Sequence, residues 1–91
     1  MSAWSTMPID CLTALRLAVE EHAGEGTSIR TTALSLCIEA VAFGREGRPR
    51  EVALRARSAA TLLLDLTCPE LDPRAVEALA AACEHAAVTR R

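Results

Sequence analysis

Apolar positions along this chain recur at helical rather than alternating spacing in four stretches, and each stretch carries its own start and stop residues. The first is expected to run from Pro8 to His22, because proline suits the first helical position and Gly24 can take the left-handed conformation that lets a chain leave a helix. The second starts after Thr27 or Ser28, both good N-caps, and is expected to stop at Phe43 before Gly44. The third begins near Pro49 and must end by Thr67, since Cys68 precedes Pro69 and is pushed out of the α region. The fourth has the clearest opening: Asp72 as N-cap, Pro73 as first helical residue, and Leu71 and Val76 at the spacing of a hydrophobic staple.

At about 100° per residue, Cys11, Leu12, Leu15, Ala18, Val19 and His22 share one arc of the first helix, opposite Asp10, Thr13, Arg16 and Glu20. The second and third helices differ, with apolar arcs of roughly 220° and 200°, about twice the stripe that a surface helix needs. Ile38 and Leu64 fall near the edges of those arcs. The fourth presents a face of small side chains, from Val76 and Ala80 through Cys83 to Ala86 and Ala87, which allows close backbone approach. Short connections make consecutive helices antiparallel, so residues 1–91 are expected to form a single all-α domain, an up-down-up-down four-helix bundle.

The alternative architecture is stacked helical hairpins of tetratricopeptide-like form. The stretch from Phe43 through Gly44, Arg45, Glu46, Gly47, Arg48, Pro49 and Arg50 to Val52 resembles the turn between the helices of a tetratricopeptide repeat, with Ala56 and Ala59 near small-residue positions. The chain departs from that repeat at Leu36, Glu39 and Ala40, where Trp, Leu and Gly are favoured, and it shows no second 34-residue period.

Composition narrows the functions. A hydrophobic content of 51% excludes disorder, yet no apolar stretch approaches the roughly 18 residues that cross a bilayer, so no membrane partner is expected. The first residues lack a charged n-region and an apolar h-region, and the expectation is a cytoplasmic protein with reduced thiols. A net charge of −2 disfavours nucleic acid as a partner. The chain has no Lys, Asn, Gln or Tyr, a bias that fits GC-rich, bacterial coding.

Chemistry is sparsely encoded. Cys11, Cys37 and Cys83 are expected to face inward at similar heights near one end of the bundle, with Cys68 at the other end. Three thiolates would suit copper(I) or zinc; small buried hydrophobes would use the same positions. No Cys-x-x-Cys, Cys-x-x-His or Glu-x-x-His spacing occurs, nor a phosphate-binding glycine loop or nucleophile elbow, so neither catalysis nor a cofactor is expected. His22 ends the first helix, and His85 lacks the Lys-Gly that follows the histidine of phosphotransfer domains.

Two surface patterns remain. Arg45, Arg48 and Arg50 gather at the connection between the second and third helices, a pole suited to an acidic partner. Leu17 and Leu54 sit among polar neighbours and, with the wide arcs bearing Ile38 and Leu64, suggest more apolar surface than one core consumes. The sequence therefore predicts a small non-enzymatic interaction module, an adaptor, chaperone-like or regulatory protein that binds a protein partner or itself as a homodimer through helix-to-helix contacts. A thiol-based metal-binding or redox-sensing bundle is the rival reading.

Overall fold

Capping side chains define where the helices begin. A computed structural model describes residues 10–66 and 71–89, and in it Asp10 is extended (φ −70°, ψ 161°) and caps α1, Cys11–His22. Its carboxylate accepts from the Thr13 backbone N–H at 2.9 Å and from the Thr13 hydroxyl at 2.8 Å. The first helix thus opens at Cys11 and not at Pro8, which lies outside the described residues: a side-chain cap at Asp10 decides the start. The second helix, α2, spans Ser28–Arg45 and is capped by Thr27, whose hydroxyl accepts from Arg30 N–H at 3.2 Å. The third, α3, spans Pro49–Leu64 and the fourth, α4, Pro73–Thr89. Asp72 accepts from Arg74 N–H at 3.0 Å through its side chain and from Val76 N–H at 3.2 Å through its carbonyl.

Two glycine assignments are corrected. Gly26 (φ 76°), not Gly24, takes the left-handed conformation after α1, and the Gly24 carbonyl instead accepts from the Thr27 hydroxyl at 2.7 Å. Likewise α2 continues through Gly44, and the left-handed residue is Gly47 (φ 72°). The bonds Arg48 N–H to Phe43 carbonyl (3.0 Å) and Gly47 N–H to Gly44 carbonyl (3.2 Å) make a Schellman ending. That motif places the exit where its two bonds close, three residues beyond the first available glycine. The other connection is latched by Arg30, whose Nη1 donates to the carbonyls of Glu20 (3.1 Å) and Ala23 (3.2 Å), the exposed end of α1. The limits expected for the end of α3 from Thr67, Cys68 and Pro69 fall on residues outside the described ones.

The helices form a compact bundle with no strand among the described residues. Side-chain pairs tie neighbouring helices together: Arg55 of α3 meets Glu39 of α2 at 3.5 Å, and Arg57 of α3 meets Glu84 (2.6 Å) and Glu77 (2.9 Å) of α4. Helix α3 packs on α2 and α4, and α1 touches all three others. The centre is small-grained: Ala18, Ala33, Ala56, Ala59, Ala60 and Ala80 are fully buried, and Leu15 and Leu63 are its largest side chains. Alanine at these crossings brings backbones close, which suits a bundle that buries no polar side chain among the described residues.

Wide apolar arcs met two different fates. On α3 the arc is consumed within the bundle, because that helix has neighbours on several sides: Val52, Ala56, Ala59, Ala60 and Leu63 are buried, and Leu62, Leu64 and Leu66 pack half-buried against the core. Leu64 is thus not surplus surface. Leu17, expected on a polar face, also packs half-buried against the core, since α1 contacts three helices rather than one. On α4 Ala86, expected on the face of small side chains, is exposed. Among the described residues, α2 leaves large apolar side chains of its arc in solvent: Ile38 is 66% exposed and Val41 40%.

Candidate docking groove

Ile38, Val41 and Arg45 recur at intervals of three and four residues, so they form one stripe along the outer side of α2. Opposite them, Leu12, Thr13 and Arg16 share a stripe on α1, and between the two helices lies a groove of about 270 Å³ with Cys37 and Ala42 also in its wall. Its apolar part is formed by Leu12, Cys37, Ile38, Val41 and Ala42. Charge enters from two guanidinium groups, and no carboxylate lines it. Arg16 makes a solvent-exposed pair with Glu20 at 3.6 Å, a contact of little strength. Arg45 has no carboxylate partner among the described residues.

Thiols meet at the same end of the molecule. The Cys83 thiol is within hydrogen-bonding reach of Cys11 and feels Cys37, so the three expected to converge do approach one another. Among the described residues, however, no group of three or more His, Cys, Asp or Glu side chains is placed to hold a metal ion. Burial pushes the Cys37 thiol up to about 11, with Arg16 opposing and Glu20 adding. Burial likewise pushes Cys83 up to about 12, with Cys11, Cys37 and Asp10 adding. Protonated thiols are poor ligands and nucleophiles at neutral pH. Cys37 and Cys83 are packed in the core beside half-buried Cys11.

Labelling separates these positions. With a maleimide at neutral pH, followed by peptide mass spectrometry, Cys11 should react early and Cys37 and Cys83 only at the rate of global opening. Neither reductant nor chelator should move the melting temperature. Rapid labelling of Cys83, or several degrees lost on chelation, would restore the metal reading.

The arginines expected to act together are divided among three surroundings. Arg45 reaches the groove, whereas Arg48 pairs with Glu46 at 3.8 Å and lies over the Phe43 ring, 4.7 Å from its centroid. Arg50 remains exposed in an open depression with Arg48, Pro49 and Glu51. Arg55 is also 4.7 Å from the Phe43 centroid and is bonded to Glu51 at 2.6 Å. Of the three, Arg48 alone has a carboxylate partner among the described residues. Leu54 is 57% exposed on α3, away from the groove.

Reading the sequence for exposed leucines missed Val41 and the α1 wall, above all Leu12 and Arg16. The spacing of Ile38, Val41 and Arg45 was the available signal. No protein-family model, curated protein or solved structure matches this chain.

Proposed function

We propose that this chain is a small, non-enzymatic helical interaction module of the cytoplasm that docks a helical protein segment in the groove between α1 and α2. The observation that carries this reading is the exposure of Ile38 and Val41, 66% and 40%, on a single stripe beside a concave apolar wall. Monomeric proteins scatter exposed apolar residues singly; adjacent ones in a groove mark an interaction surface. A groove between two helices accepts the apolar stripe of a third by the same ridge-and-groove packing that built the bundle. Free thiols suit a reducing compartment, and no described helix is long and apolar enough to cross a membrane.

The test uses full-length chain as bait in extract from its native host, beside the double variant Ile38→Ser, Val41→Ser. Both side chains are exposed, so the variant should retain its helical circular dichroism. Removing their contact with a bound segment should weaken capture by about 10- to 100-fold, corresponding to roughly 1.5–3 kcal/mol of apolar burial. Equal capture by both proteins would remove the groove from function. Light scattering on the same samples detects a second copy as the bound partner.

A further inference from the structure

The groove's two guanidinium groups point to the chemistry of its occupant, and this inference rests on the docking reading above. We infer that the segment bound there is an amphipathic helix of another protein, with an acidic residue at each end of a two-turn apolar stripe. Arg30, near the start of α2, bonds the end of α1, and Arg16 acts on Cys37, so the two helices run antiparallel, with Arg16 at the Cys37 and Ile38 end of the groove and Arg45 at the Leu12 and Thr13 end. From Ile38 to Arg45 the axis rises roughly 10 Å, two turns of helix at about 1.5 Å per residue. A partner helix aligned with this stripe places apolar side chains at i, i+3 or i+4 against Ile38 and Val41, and carboxylates about seven residues apart against the two arginines.

Charge also argues against a second copy. Among the described residues the exposed large hydrophobic side chains are Ile38, Val41 and Leu54. Groove against groove would bring Arg16 and Arg45 of one copy onto the same pair of the other. Leu54 is a lone apolar side chain on its face, with Arg50 and Glu51 on one side and Arg57 and Ser58 on the other, so it offers the groove neither a two-turn apolar stripe nor an acidic residue at each end. Like charges brought face to face are a strong barrier to association.

The experiment measures fluorescence anisotropy of labelled synthetic helical peptides with the full-length chain. All peptides carry the same leucine stripe, flanked by Glu, Gln or Lys. The Glu peptide should bind most tightly and lose affinity as salt rises; the Gln peptide should bind more weakly, and the Lys peptide weakest. Arg16→Gln and Arg45→Gln should each lower affinity for the Glu peptide about threefold to tenfold while leaving the Gln peptide unchanged. Arg45→Glu should abolish the preference between Glu and Lys peptides, and Arg16→Glu combined with Arg45→Glu should reverse it. Equal binding of all three peptides, or peptide-insensitive binding to vesicles of anionic phosphatidylserine, would overturn the acidic occupant. If no peptide binds while native capture still depends on Ile38 and Val41, the acidic occupant falls and the docking groove stands; if that dependence is also absent, both fall.

Discussion

Leu63→Ala is expected to lower stability by about 3–5 kcal/mol, the upper part of the range for truncating a buried leucine. Leu63 is fully buried on α3, the helix that packs against the other three, and with Leu15 it is the largest side chain of the core. Its surroundings include Ala56, Ala59 and Ala60, which have no rotatable side chain to swing into the space left behind. The cavity should therefore persist, and the loss of dispersion contacts adds to the lost transfer free energy. A domain of this size has a total stability of about 5–13 kcal/mol, so the variant should melt about 10 °C or more lower, and Leu15→Ala should behave alike. The converse change, Ala60→Leu, should cost about 1–3 kcal/mol through overpacking. Leu54→Ala, at a position 57% exposed, should stay within about 0.5 kcal/mol of the parent. Urea denaturation followed by circular dichroism measures all of these. A Leu63→Ala protein as stable as the parent would mean that the alanine-lined core can collapse around the gap.

Alkaline titration should weaken the fold. Cys37 and Cys83 are pushed up to about 11 and about 12 from an ordinary 9.0, chiefly because burial disfavours the thiolate. In the unfolded chain those thiols ionise as pH passes 9.0, while in the folded protein they hold their protons. The folded state then binds more protons, so unfolding becomes easier as pH rises. Stability is fully present below 9.0 and is lost between there and about 11 for Cys37, about 12 for Cys83. At about 1.4 kcal/mol per pKa unit the two thiols together represent several kcal/mol, a large share of a marginal fold. The urea midpoint should fall steeply over this window, and Cys83→Ala, though less stable at neutral pH, should show a shallower fall. An identical slope in the variant would assign the alkaline loss to other groups.

Local chemistry made much of this molecule legible from its sequence. Thr27, Pro49, Asp72 and Pro73 act on the backbone within a turn of themselves, and α2, α3 and α4 start where those residues direct. Helical periodicity likewise identified Leu15, Ala18, Val19, Val76, Ala80 and Cys83 as inward-facing, because each lies on the single apolar arc of its helix. Choosing between neighbouring glycines was beyond it: Gly24 and Gly26 are equally permissive residues, and only the closing hydrogen bonds select the one with positive φ.

What the sequence determined, then, is four amphipathic helices with their caps and an all-α bundle; what tertiary structure decided is which part of each apolar arc reaches water. Leu64 and Ile38 look alike along the chain, yet Leu64 packs on the core and Ile38 does not. The difference is coverage: α3 is flanked by α2 and α4 and touched by α1, whereas α2 packs chiefly on α3 and its side bearing Ile38 and Val41 stays in solvent. An arc shows where a helix can bury surface, but the position of its neighbours decides how much is buried. That arrangement leaves Ile38 and Val41 open beside Arg16 and Arg45, a juxtaposition of two helices that neither helix encodes alone.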